Sequence, residues 1–132
     1  MSDDEITFER KTFRKGDLLV REGVPGDTAY FIVLGEVEIR KGGSDTKLLA
    51  TRGRGDVVGE MALFDDTPPI ASVVATKETF VDVVPRDVFQ QRIDEMDPAM
   101  RRIMKLMVQR IRDLSDELVI SGGGTNLADL SD

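Results

Sequence analysis

The chain has 132 residues and a formal net charge of −7; a third of its residues are charged and 40% are hydrophobic. That length and balance fit one globular domain with a single core. The absence of cysteine and histidine excludes disulfides, zinc fingers, thiol catalysis and histidine acid–base chemistry, and the acidic total argues against a diffuse nucleic-acid surface.

The N-terminal segment, residues 1–9, is acidic and lacks the basic start and apolar run of a secretory signal. The longest clean apolar run, Ala29 to Leu34, is too short to span a membrane, so a cytoplasmic location is expected. From residue 10 onward, turn residues such as Gly16-Asp17, Gly26-Asp27, Gly35 and Gly55-Asp56 separate short runs rich in Val, Ile, Leu, Phe and Thr. The spacing predicts strands near 10–14, 18–22, 28–34, 36–41, 46–51, 56–58, 70–76 and 79–84, with Gly42-Gly43 at a hairpin tip.

The pattern changes after Val84. Pro85 is read as the first residue of a helix over 85–96, in which Val88, Phe89, Ile93 and Met96 recur at helical spacing. Asp97-Pro98 repeats the start signal, as N-cap and first helical residue, for a longer helix over 98–119. Residues 120–132 read as a glycine-rich, disordered tail. The expected fold class is α+β, mainly β: an antiparallel jelly roll or sandwich of about eight strands over 10–84, followed by two helices, the last one long.

Gly59 to Ser72 reads GEMALFDDTPPIAS. A short helical turn beginning after Gly59 is expected to leave the N–H groups of Met61, Ala62 and Leu63 unpaired, and such groups attract an anion. Gly59 lets the backbone approach a ligand closely. Glu60, an acceptor only when ionised, suits a ribose hydroxyl and not a phosphate. The small Ala71 and Ser72 leave room beside an anion.

The spaced glycines of Glu22 to Ile39 (EGVPGDTAYFIVLGEVEI), the VVGEMAL segment from Val58's neighbour Val57 to Leu63, and the trailing helices together resemble the cyclic nucleotide-binding domain. That family includes the sensor half of the cAMP receptor protein, the regulatory subunits of protein kinase A and the gating domains of cyclic nucleotide-regulated channels. The resemblance runs from about Phe13 to Val119. It implies that Glu60 takes the ribose 2′-hydroxyl and that the 61–63 backbone faces the cyclic phosphate. It also implies an arginine at the end of the loop, next to a small residue. Here those two positions hold Pro69 and Ile70. An arginine–phosphate pair is charge-assisted and often bidentate, and its loss costs roughly 1.5–3 kcal/mol, one to two decades of affinity. Pro69 also offers no N–H.

Three other cations stand near in sequence: Arg52, Arg54 and Lys77. Each reads either as a substitute for the arginine or as a solvated surface charge. Asp65 and Asp66 read either as a metal pair or dyad, or as a polar loop tip that repels phosphate. Glu60 reads as a ribose ligand or as a retained structural cap. No resident cofactor or metal is expected; the ligand implied is cAMP or cGMP.

Along the last helix, Met100, Met104, Met107, Ile111, Leu114 and Leu118 alternate spacings of four and three, an a/d stripe. Ile103 and Leu106 widen it. The stripe is read either as a face packed on the chain's own barrel or as the seam of a homodimer, the arrangement the resemblance implies. The resemblance also implies that this helix closes over the base, with Ser115 a candidate base contact. After the helix only a short tail remains, so no DNA-binding module is expected. The functional expectation is a stand-alone, non-enzymatic sensor that binds a cyclic nucleotide weakly or atypically. The alternative is a degenerate domain that keeps the fold for protein interaction.

Overall fold

The structure is a computed structural model that describes residues 8–43 and 45–121, with side chains through residue 114. The described residues divide into two compact units, with the boundary between Phe89 and Gln90.

The first unit is a two-layered antiparallel β structure. Its strands are β1 (Glu9–Phe13), β2 (Leu18–Val20), β3 (Thr28–Leu34), β4 (Glu36–Lys41), β5 (Lys47–Gly53), β6 (Val57–Val58), β7 (Ser72–Ala75) and β8 (Thr79–Pro85). One sheet runs β1-β8-β3-β6, the other β2-β7-β4-β5. Every pairing is antiparallel. The eight strands and two following helices make the mainly-β, jelly-roll-like α+β fold expected from the turn spacing.

Strand alternation builds the interior. Val37 on β4, Val73 and Ala75 on β7, Ile32 on β3, Val58 on β6 and Val81 on β8 are buried and meet in one cluster with Phe13 and Leu19. Phe13 meets Tyr30 edge-to-face, ring centroids 5.5 Å apart. A smaller cluster lies on the alternate residues of the first sheet. Ala29 and Val84 are buried there with Leu63, and Val57, Phe64 and Phe89 pack on them. A short helical turn, a 3₁₀ turn at Glu60–Leu63, is seated on this second face through Leu63.

Gly35 joins β3 to β4 at φ +117°, and a Cβ there would lie 2.5 Å from Thr79 Oγ1 and 2.6 Å from its Cα. Only glycine fits. Thr79 is fully buried; its hydroxyl accepts the Glu36 N–H at 3.2 Å and donates to the Lys77 carbonyl at 2.8 Å.

Two boundaries differ from the sequence reading for a physical reason. Pro85 closes β8, opposite Thr28, instead of opening a helix. A strand end asks nothing of its missing N–H. The helix α1 therefore begins at Arg86, as Arg86–Asp94, with the Arg86 N–H donating to the Asp27 carbonyl at 2.7 Å. β5 continues to Gly53 because Gly53 pairs with Glu36 across the hairpin.

The second unit carries the end of α1 and the helix α2, Pro98–Ser121. Asp97 caps α2 as expected: its Oδ2 accepts the N–H groups of Ala99 and Met100, both at 3.1 Å. On α2, Arg101, Met104, Val108 and Arg112 are half-buried, whereas Met100, Ile103, Leu106, Met107, Ile111 and Leu114 are exposed. Met104 thus stands apart from the rest of the predicted stripe, and Ile103 takes its place beside Met107. At 3.6 residues per turn, Met100, Ile103, Met107, Ile111 and Leu114 fall within an arc of about 80°. The side chains of Ser115 and Leu118 lie outside the described residues, as do residues 1–7 of the N-terminal segment and 122–132 of the tail.

Candidate functional site

The turn after β6 is entered through Gly59 at φ +72°, where a Cβ would lie 3.2 Å from the Thr28 carbonyl oxygen and 3.2 Å from Val20 Cγ2. The close approach and the left-handed angle both require glycine. The 3₁₀ pattern changes which donors are open. Ala62 N–H donates to the Gly59 carbonyl at 3.1 Å, and Phe64 N–H to the Met61 carbonyl at 3.1 Å. The expectation of an unpaired Ala62 N–H is therefore wrong: a 3₁₀ ladder bonds from the third residue onward. The ladder's first bond is the one from Ala62, so among the described residues the N–H groups left open are those of Glu60 and Met61, where the sequence reading had Met61, Ala62 and Leu63. Leu63 is the buried anchor of the turn.

Glu60 is exposed, and among the described residues its carboxylate makes no hydrogen bond or ion pair. The turn has no side-chain cap, so Glu60 does not act as one. Ala71 is buried and Ser72 half-buried. The Ser72 hydroxyl accepts the Glu22 N–H at 2.8 Å, and the Pro69 carbonyl accepts the Gly23 N–H at 2.9 Å. The second arm of the loop is thus laced to the Glu22-Gly23 turn. Ile70 is 58% exposed. Its carbonyl accepts a hydrogen bond from Lys41 Nζ at 2.9 Å.

Arg86 is a residue the sequence reading missed. Its Nε donates to the Ala62 carbonyl at 2.7 Å, and its Nη2 to the carbonyls of Asp65 at 2.7 Å and Gly26 at 3.0 Å. Its Nη1 lies 2.9 Å from Asp66 Oδ1. One guanidinium therefore ties the back of the 3₁₀ turn, the following loop and the turn before β3 to the first residue of α1. All of these are acceptors, so Arg86 is spent on protein carbonyls and stands behind the turn rather than on its open N–H side.

The two aspartates are separately engaged. Asp66 pairs with Arg86, and Asp65 Oδ1 accepts the Thr67 N–H at 3.0 Å. Among the described residues no cluster of acidic side chains is arranged to hold a metal ion. The proposed substitute cations also stand elsewhere. Arg52 pairs opposite Val37, as does Ala75, two residues before Lys77. Ser72 opposes Arg40 at the other end of β4. Three residues of strand separate those positions, about 10 Å. Arg52 Nη1 donates to its neighbour Thr51's carbonyl at 3.0 Å, and Arg54 is exposed in the turn after β5.

Among the described residues no helix is long and apolar enough to cross a membrane.

Known proteins are similar to this chain in sequence and fold. The chain is 35% identical over 95 residues to a cAMP-dependent protein kinase regulatory subunit of Pyricularia oryzae, covering 72% of this chain and 24% of that protein. It is 28% identical over 108 residues to the CRP-like cAMP-activated global transcriptional regulator of Mycobacterium tuberculosis, covering 80% of this chain and 48% of that protein. The chain thus spans about a quarter of the one and about half of the other. Among solved structures, the EAL enzyme Bd1971 matches in its cAMP-bound form with a TM-score of 0.66 and 27% identity, over 85% of this chain and 31% of that one. Its cGMP-bound form matches with a TM-score of 0.68 and 27% identity, over 84% and 30%. The family model of the cyclic nucleotide-binding domain matches residues 10–96, a span that holds both sheets, the 3₁₀ turn and Arg86, and this chain belongs to that family.

Proposed function

We propose that this chain is a regulatory sensor domain that binds a cyclic nucleotide, cAMP or cGMP, with a weakened grip on the phosphate. The observation that carries the reading is the turn entered at Gly59. Its first two N–H groups are open among the described residues, and beside them stands Glu60, an exposed carboxylate with no protein partner there. That pair suits a ligand joining an anionic phosphate to a hydroxyl-bearing ribose. Met61, Ala62 and Leu63 frame the turn, and Ala71 and Ser72 close the loop behind it. The weakness follows from Pro69 and Ile70, where the family's arginine and small residue stand. In this reading the chain has no catalytic step and no resident cofactor. It acts by changing what it contacts.

The contact surface we propose is the apolar arc of α2, paired with a second copy of the chain. Five apolar side chains in one arc, with Met107 62% exposed, suit a helix seam, and methionines repack readily when a seam shifts. Leu118 extends the same spacing, and Ser115 is the proposed base contact on this helix. The exposed Ile70 and the missing arginine favour a second reading, in which the same seam serves a domain that holds no nucleotide.

Isothermal calorimetry with cAMP and cGMP separates the two. Micromolar to tens-of-micromolar binding supports the sensor; silence up to millimolar ligand refutes it for these nucleotides. Sedimentation at varied concentration tests the seam, and a monomer at high micromolar concentration refutes it.

A further inference from the structure

β4 and β7 run in unbroken register: Val37 faces Ala75, Glu38 faces Val74, Ile39 faces Val73 and Arg40 faces Ser72. Val37, Val73 and Ala75 point into the main core, and Ile39 packs against it. Because successive side chains alternate, the next position of that parity is residue 41, the exposed last residue of β4, one step past the Arg40–Ser72 pair that ends the ladder. The residue is Lys41.

Its ammonium is placed on the arm of the loop that lacks the arginine. Lys41 Nζ donates to the carbonyl of Ile70 at 2.9 Å, one residue beyond Pro69. Glu22 Oε2 lies 3.9 Å away, too far for a hydrogen bond, while Glu22 Oε1 accepts the Gly42 N–H at 2.8 Å. An ammonium carries three donors. Among the described residues one is used, so two remain for a ligand. The side chain is 54% exposed, and its four-carbon stem lets the charge follow an incoming anion.

We infer that Lys41 supplies the ligand-binding cation of this site, its ammonium meeting the cyclic phosphate from β4 in place of an arginine at position 69. The assignment rests on the sensor reading above. It also fits the weakened phosphate grip proposed above. An ammonium is a point charge without the guanidinium's two-pronged match to phosphate. Glu22 sits close enough to share it and to repel the ligand's charge.

The test is calorimetry with cAMP and cGMP on the wild-type chain and on Lys41→Met, Lys41→Arg and Glu22→Gln, at low and high salt. Lys41→Met keeps the stem and removes the charge. It is expected to weaken binding about tenfold and to flatten the salt dependence. Lys41→Arg is expected to stay within about threefold of wild type or to exceed it. Glu22→Gln retains an acceptor for the Gly42 N–H and removes the competing charge, and is expected to tighten binding several-fold. Circular dichroism and melting confirm that each variant folds; if Lys41→Met does not, Lys41→Arg and Glu22→Gln carry the test. Wild-type binding with Lys41→Met within twofold of it overturns the assignment and leaves the sensor reading standing, as does Glu22→Gln that fails to tighten. A wild-type chain that binds neither nucleotide up to millimolar concentration overturns both.

Discussion

Replacing Arg86 by methionine keeps a long stem and removes the guanidinium. Three carbonyls then lose their donor: Ala62, Asp65 and Gly26, held at 2.7, 2.7 and 3.0 Å. Hydrogen bonds to charged groups contribute about 1.5–3 kcal/mol each. The three bonds share one side chain and are not additive, and the carbonyls in the loop regain water. The Asp66 ion pair adds little, because that carboxylate is 80% exposed and such pairs are worth about 0–1 kcal/mol. With Arg86 itself only 26% exposed, the expected loss is about 2–4 kcal/mol. Urea unfolding monitored by far-ultraviolet circular dichroism measures it as a lower midpoint at constant slope. Arg86→Lys, one charge without the fork, is expected to recover less than half of the loss. Asp66→Asn is expected to cost under about 0.5 kcal/mol. If Arg86→Met stays within about 0.5 kcal/mol of wild type, or if Asp66→Asn costs as much as it does, the carbonyl-clamp account is wrong.

Three further outcomes are expected. Pro69→Arg restores the side-chain charge the loop lacks and should tighten cAMP or cGMP binding about tenfold or more; calorimetry showing no gain would place the phosphate elsewhere or show Ile70 blocking it. Gly35→Ala drives a Cβ into Thr79, backbone included, at a left-handed φ, so a loss above about 3 kcal/mol or failure to express folded protein is expected, and a wild-type melting temperature would contradict the packing at that corner. The pKa of Tyr30 is raised, first by burial and then by the charge of Asp27. A raised native pKa leaves stability whole below about pH 10 and erodes it as pH climbs through the native value. Because Tyr30 is the sole tyrosine and there is no tryptophan, absorbance near 295 nm reports it alone. A native titration no higher than that of the urea-unfolded chain would contradict the burial.

Local pattern carried the strands and the turn. Alternating Val and Ile runs between glycines placed β3 and β4 at their observed bounds, and Gly59 followed by Glu60-Met61-Ala62-Leu63 marked the short helical turn. Misreadings arose where one residue type serves two states. Proline suits a helix start and a strand end equally, and only the pairing of Pro85 with Thr28 decides between them. Helical type mattered too: an α-turn and a 3₁₀ turn leave different N–H groups open, and GEMAL is compatible with both. The rest of the site is built from contacts between distant segments. Arg86 and Ala62 are 24 residues apart, Lys41 and Ile70 29, Glu22 and Ser72 50. No spacing rule links such pairs. Lys41 alone left a trace, as a charge on the core-facing parity of β4, visible only once the register against β7 is known.

The Arg86 clamp also has a thermodynamic meaning. Its side chain holds the 3₁₀ turn while its own N–H anchors the start of α1 to the Asp27 carbonyl. A ligand that reshapes the turn must therefore alter the free energy of the first turn of α1 in its docked position. Linkage makes that coupling reciprocal: whatever factor the ligand imposes on the helix start, a partner that seizes or releases the helix start imposes on ligand affinity. A protein that binds α1 in one setting would thus read, and also tune, the concentration at which the site fills, without touching the ligand.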